Sequence, residues 1–184
     1  MVGPSAAAEV QWQVGRRIVS QVAGSGYRTT VWFTPSSEGA FVREWLAGVG
    51  RIDFHTQPPG RVGERLSQAF GRLFHGGARR VVLVGGDCPG VDRRLVSEAF
   101  TALGGHDVVI GPTWSGRFYL VGLNEPRPAL FRGLRGPRTL AAVKSRSVGL
   151  GLRLRLLRPL REIRTLQDAR VLGLLKSRST IDGT

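Results

Sequence analysis

The sequence predicts an α/β fold, a three-layer sandwich around a mostly parallel sheet, and three observations carry that expectation. Short β-branched apolar runs alternate with amphipathic helical stretches along the chain. One run, Val81 to Val84, stands between two arginines and Gly85-Gly86 and has the composition of a strand buried on both faces that stops abruptly. The 184 residues, 41% of them apolar, suffice for one sizeable core and are few for two. Residues 1–176 are therefore expected to form a single domain and residues 177–184 a flexible polar tail.

Taken in order, Ser5 is placed to cap a helix from Ala6 to about Ala23, in which Val10, Val14, Ile18 and Val22 recur at four-residue spacing. Gly24, Ser25 and Gly26 stop it. Arg28 to Thr34 is rich in β-branched and aromatic residues and predicts a strand that Pro35 ends. A short helix over Gly39 to Leu46 and a weaker strand over Arg51 to Thr56 follow. Arg61 to Phe74 carries Leu66, Ala69, Phe70 and Leu73 at helical spacing and meets the stop signal Gly76-Gly77. Beyond Val84, Asp92 can cap a helix from Arg93 to Leu103 whose apolar face is Leu95, Val96, Ala99, Phe100 and Leu103. His106 to Ile110 and Phe118 to Leu123 read as compact strands, Pro126 to Gly136 as a short helix within loops, and Thr139 to Ser147 as a helix. Leu152 to Leu156 alternates leucine with arginine, so a strand there should bury one face and turn Arg153 and Arg155 outward. Thr165 caps a last helix through Leu175.

Composition narrows the function classes. The single Cys88 excludes an internal disulfide, and three histidines without paired cysteines make no zinc-type cluster. No apolar run approaches the roughly 18 residues of a membrane span and no secretory leader pattern opens the chain, which places it in the cytoplasm. The net charge of +14 is local: residues 117–170 hold 13 basic and 3 acidic residues, a balance of +10. Such a surface suits nucleic acid or a phosphorylated ligand, and an arginine-rich composition is the plainer account, since arginine supplies 25 of the 27 basic residues. The scarcity of aromatics in that stretch argues against nucleic acid.

Among chemistry-bearing residues, Asp87 stands out because ligands of open α/β sheets collect at the carboxyl ends of strands. The plain alternative is that it caps the turn before Pro89. Cys88 reads as a packed small residue, with no histidine nearby in sequence to activate it. Trp12, Trp32, Trp45 and Trp114 read as core or lining residues, with Trp114 in the loop beside Ser115.

Gly60 to Phe70 (GRVGERLSQAF), Val81 to Gly90 (VVLVGGDCPG), Val108 to Pro112 (VVIGP), Phe118 to Leu123 (FYLVGL) and Thr165 to Asp168 (TLQD) together resemble the DUF2064 family of bacterial glycosyltransferase-like proteins. The resemblance covers nearly the whole chain and implies the GT-A, nucleotide-diphospho-sugar transferase fold. It implies a glycosyltransferase that moves a sugar from a nucleotide-diphosphate donor to an unknown acceptor. In that fold a strand-end aspartate holds a divalent metal, magnesium or manganese, against the diphosphate, and Asp87 matches the position. A hard cation on carboxylate oxygen offsets the charge that develops on a departing nucleoside diphosphate.

This chain also departs from the family pattern. Where the family reads Asp-Gly-Gly-Tyr, it has Ser115, Gly116, Arg117 and Phe118; where the family reads Asp-Val-Asp-Thr, it has Glu162, Ile163, Arg164 and Thr165. Asp87 and Glu162 remain as metal ligands and catalytic carboxylates, with Gly85, Gly86, Ser115, Gly116, Arg117 and Arg164 as substrate-binding candidates. A guanidinium at Arg117 or Arg164 is suited to pair with phosphate oxygens. The family's opening strand and basic loop are not found before Ser5, so Met1 is expected to be an internal methionine of a longer frame. Without that strand, the neighbouring edge invites self-association as a homodimer. The alternatives are nucleotidyl transfer of the phospholactate guanylyltransferase kind and a non-catalytic, anion-binding remnant.

Overall fold

The structure is a computed structural model, and it describes residues 4–135, 138–165 and 167–168, with side chains from residue 8 onward. The tail at 177–184, the side chain of Ser5 and all but the first turn of the helix expected to Leu175 lie outside the described residues. The elements are α1 (Pro4–Ala23), β1 (Thr29–Phe33), α2 (Gly39–Trp45), β2 (Ile52–Thr56), α3 (Val62–His75) and β3 (Val81–Val84) in the first half. They are followed by α4 (Arg93–Ala102), β4 (Val108–Pro112), β5 (Phe118–Leu123), α5 (Thr139–Gly149) and β6 (Leu154–Leu156).

The strands form two sheets. β1 and β2 pair in parallel, Thr29 opposite Ile52. The larger sheet has the order β3-β5-β4-β6, in which β4 and β6 are parallel and β5 runs against both of its neighbours. Parallel pairing thus joins β1 to β2, which α2 connects, and β4 to β6. The reversal comes from the tight turn between β4 and β5, which only an antiparallel pair can use.

Alternation along the strands divides the core into two faces. Val82, Val84, Val109 and Tyr119 face one side, where Val10, Val14 and Ile18 of α1 and Leu95, Val96 and Ala99 of α4 cover them. Val81, Val108, Ile110, Val121 and Leu123 face the other, against Phe70 of α3 and Val143 of α5. Three layers result, as expected. Asp92 caps α4 by accepting the Leu95 amide at 2.8 Å.

Three local expectations are corrected. β3 is not buried on both faces: Val81 is buried, but Val82 to Val84 are half-buried, because β3 is the edge of its sheet and pairs only with β5. In β6 the alternation ends early, with Leu156 exposed and Leu157 buried, since the Leu157 side chain packs into the core shared with α1 and α4. Trp12 and Trp114 are exposed, the latter at 76%, so neither is a core residue.

One close approach ties the sheet to the segment that follows β6. A Cβ on Gly111 would lie 2.3 Å from the Tyr119 ring, and that buried tyrosine donates to the Arg158 carbonyl at 3.0 Å. Gly111→Ala is expected to cost about 1–3 kcal/mol by overpacking, read as a fall in the thermal midpoint of about 2–4 °C per kcal/mol for a chain of this size. An unchanged midpoint would show that the ring moves freely and that the contact does not fix the segment.

Candidate active site

The end of β3 is where the sequence-predicted residues gather. Gly85 extends the ladder, its amide donating to the Tyr119 carbonyl at 2.8 Å, whereas a Cβ on Gly86 would meet nothing within 4 Å. The chain then turns, half-buries Asp87 and buries Cys88 completely. Burial and the neighbouring carboxylates push the Cys88 thiol up, so it is a packed residue, as its sequence context suggests.

Glu162 arrives from the opposite direction. Beyond β6 the chain is strapped across the ends of the strands: the Leu160 amide donates to Pro112 O at 3.0 Å, and the Trp114 amide to Leu160 O at 3.2 Å. The Ile163 amide donates to Asp87 O at 2.8 Å. These bonds set Glu162 beside Asp87 and bury it, with 6% of its surface exposed. One carboxylate oxygen, Oε1, accepts from Ser115 Oγ at 2.8 Å and lies 3.5 Å from Arg164 Nε. The other, Oε2, is buried with no partner among the described residues.

The turn Thr113–Arg117 supplies the third wall. Gly116 has φ +83°, a left-handed conformation that glycine adopts without strain. Within the turn the Arg117 amide donates to Thr113 Oγ1 at 3.1 Å, and Thr113 Oγ1 lies 3.1 Å from Ser115 Oγ. With Ser115 donating to Glu162, the shared proton between the two hydroxyls comes from Thr113. The chain of bonds therefore runs from the Arg117 backbone to the buried carboxylate. Thr113 escaped the sequence reading; a hydroxyl two residues ahead of a Ser-Gly pair is the turn signal that marks it.

Electrostatically the site is a carboxylate pair with cations at its rim. Burial and the charge of Glu162 push the Asp87 carboxyl above the usual range, and the Arg117 guanidinium opposes them. Arg117 Nε is itself buried without a partner among the described residues, whereas the Arg164 side chain is half in solvent. All eight residues singled out by sequence thus come to the ends of β3 to β5. Among the described residues no group of three or more histidine, cysteine or acidic side chains is close enough to hold a metal, so any cation rests on the pair. A cavity of about 810 Å³ lies elsewhere, at the opposite end of β3, and includes none of them.

The layering and the position of the site define the class: this is the nucleotide-diphospho-sugar transferase fold. The chain matches a candidate nucleotide-diphospho-sugar transferase from Desulfovibrio desulfuricans G20 with a TM-score of 0.86 at 24% identity, over 97% of this chain and 79% of that one. It matches 4-diphosphocytidyl-2C-methyl-D-erythritol synthase from Anaerococcus prevotii DSM 20548 with a TM-score of 0.67 at 11% identity, over 88% and 84%. Rv0371C of Mycobacterium tuberculosis H37Rv, solved with manganese, matches with a TM-score of 0.58 at 17% identity, over 86% and 85%. The chain belongs to the family DUF2064, described as uncharacterized protein conserved in bacteria, whose pattern matches residues 18–136. No curated protein matches. No described helix is long and apolar enough to cross a membrane.

Ser115 orients this arrangement, because among the described residues it is the one uncharged group that hydrogen-bonds the Glu162 carboxylate. Ser115→Ala is expected to destabilise the fold by about 1–3 kcal/mol, the cost of removing a hydrogen bond from a buried charged acceptor. Urea unfolding at neutral pH measures it, and Ser115→Thr, which keeps the hydroxyl, should restore most of the loss.

Proposed function

We propose that this chain transfers a sugar from a nucleotide-diphosphate donor, with a divalent cation, magnesium or manganese, held between Asp87 and Glu162. The observation that carries the reading is the buried Glu162 oxygen without a partner, set beside a second carboxylate whose charge burial disfavours. A carboxylate pair with one free oxygen fits a hard, oxygen-seeking cation. Bound there, such a cation would neutralise charge on the diphosphate leaving group.

The chain's own residues do the rest. Ser115, oriented by Thr113, fixes the Glu162 carboxylate so that Oε2 stays free. The exposed Gly85-Gly86 turn lets a phosphate approach the backbone closely, because no side chain stands in the way. Arg117, with its unpartnered Nε, and Arg164, at the rim, are placed to pair with phosphate oxygens. The donor sugar and the acceptor would meet above this floor, and the exposed Trp114 offers a flat apolar face there.

A second reading, nucleotidyl transfer, draws support from the cytidylyl-type fold neighbours and uses the same carboxylates. The products separate the two: nucleotidyl transfer releases pyrophosphate from a nucleoside triphosphate without a sugar donor, and sugar transfer releases a nucleoside diphosphate. A non-catalytic anion-binding role predicts binding of polyanions without either product.

A panel of nucleotide sugars and nucleoside triphosphates, screened with manganese by thermal shift, should contain a compound that stabilises the chain only when the metal is present. Asp87→Asn should abolish that response. The same substitution has an opposite effect on the metal-free protein. Because the Asp87 carboxyl is raised, the folded chain holds a proton that the unfolded chain has released, and stability falls as pH rises from the ordinary carboxylate range through the raised value. Asp87→Asn removes that fall, so in chelator at neutral pH its thermal midpoint should exceed that of the parent. A lower midpoint there, or a panel with no responder, would overturn the carboxylate-pair reading.

A further inference from the structure

The cavity of about 810 Å³ at the entrance to β3 is built from residues that the carboxylate site leaves unused. Arg79 and Arg80 line it, and the chain bends at both before β3 begins. Neighbours within a strand point to opposite faces, so the bend is what lets two successive arginines serve one cavity. Tyr27, just ahead of β1, and Phe100, in α4, form the adjoining wall, their rings stacked with centroids 3.8 Å apart and planes 23° from parallel. Thr101 and Asn124 also line it.

Hydrogen bonds hold these walls in place. Thr29, buried at the start of β1, donates through its hydroxyl to the Tyr27 carbonyl at 3.1 Å. Asn124 donates to the Leu103 carbonyl at 3.0 Å and to the His106 carbonyl at 2.8 Å, and so clamps the segment between α4 and β4. Arg80 Nη1 donates to the Phe100 carbonyl at 3.4 Å, which sets one guanidinium against the negative end of α4. Both arginines are exposed, and among the described residues neither forms an ion pair. The described residues that line the cavity include no acid. Uncompensated positive charge therefore lies beside an aromatic pair whose outer member, Tyr27, is 39% exposed.

We propose that this cavity binds a small organic phosphate that carries a planar ring, of which a nucleoside monophosphate is the simplest kind, at a site separate from Asp87 and Glu162. Guanidinium groups pair with phosphate oxygens through directional, charge-assisted hydrogen bonds. An exposed aromatic ring takes a heterocycle by stacking. Either feature alone is ordinary on a protein surface. A cavity that holds both, with no carboxylate among its described lining residues to repel an anion, favours a ligand that has both parts. Its volume lies within the roughly 300–1,000 Å³ of small-molecule sites. The same lining separates the two sites chemically, since a divalent cation needs oxygen ligands of the kind Asp87 and Glu162 supply. Binding at the entrance to β3 is therefore independent of metal and does not rest on the sugar-transfer reading.

The test titrates the common nucleoside monophosphates into the chain in the presence of a chelator and follows amide chemical shifts. At least one should bind saturably with a Kd below about 1 mM, shifting the amides of Thr101, Gly104 and Asn124. Its parent nucleoside and ribose 5-phosphate should each bind about tenfold or more weakly, because each lacks one of two contacts of that worth. Replacing both exposed arginines, Arg79→Gln with Arg80→Gln, should weaken the nucleotide by about tenfold or more. Tyr27→Leu should weaken it as well, whereas Tyr27→Phe, which keeps the ring, and Asp87→Asn should leave it unchanged. No saturable shift at those amides, ribose 5-phosphate binding as tightly as the nucleotide, or undiminished binding in the double arginine variant would each overturn the proposal. Loss of binding in Asp87→Asn would also overturn it, by assigning the nucleotide to the carboxylate pair.

Discussion

The hydrogen bond from the Ile163 amide to the Asp87 carbonyl, 2.8 Å long, joins the two halves of the candidate site. Asp87 sits at the end of a strand and Glu162 on an irregular strap 75 residues later, and no secondary-structure ladder links them. Strap position follows from β6, whose parallel register on β4 delivers the chain to Pro112 and Leu160, and from Tyr119, which holds the Arg158 carbonyl. Gly111 lets that ring pass under the sheet. Packing thus determines how far apart two charges lie, which is why core residues several positions from the carboxylates bear on the chemistry.

That placement is unfavourable by itself. A buried carboxylate oxygen without a donor costs about 1–3 kcal/mol, and more when charged, and a second carboxylate beside it raises the cost. The cations nearby are not arranged to cancel it. Arg164 reaches Glu162 at 3.5 Å from a largely solvated position, where ion pairs contribute little, and Arg117 acts on Asp87 without forming an ion pair with it. A surplus of negative charge therefore remains at the floor, with positive charge at the rim. That order, anion below and guanidinium above, suits a cation carrying phosphate oxygens better than it suits a bare anion.

Much of this was legible in the sequence because local rules act within each element. The period-four valines of α1, the capping Asp92, the glycine stop after α3 and the short β-branched runs each map onto an observed element within a residue or two. Asp87 was found because a strand end followed by Gly-Gly is a local pattern, and Glu162 because family blocks placed it. What escaped depends on partners distant in sequence. The composition of Val81 to Val84 reads as fully buried, and only the order of strands reveals that one side has no neighbour. Leu156 and Leu157 exchange roles because the core that α1 and α4 build takes in Leu157. Thr113 contributes through a turn whose geometry a single sequence leaves open, and the Trp114 backbone is held by a strap formed 46 residues later.

The bare edge of β3 and the carboxylate pair share one strand but draw on different interactions. Among the described residues, the side chains that hydrogen-bond or ion-pair with Glu162 come from the β4–β5 turn and the strap, and Asp87 is held by that same strap. The floor of the site is therefore complete on the larger sheet alone, whereas β1 and β2 are coupled to it chiefly through α1. A ligand long enough to extend from the carboxylates across the end of β3 would span both units, and its affinity would depend on how rigidly α1 joins them. Cation binding at Asp87 and Glu162 needs only the strap. The floor can thus be intact in a protein whose grip on the remainder of a nucleotide is weak, so the two properties must be measured apart.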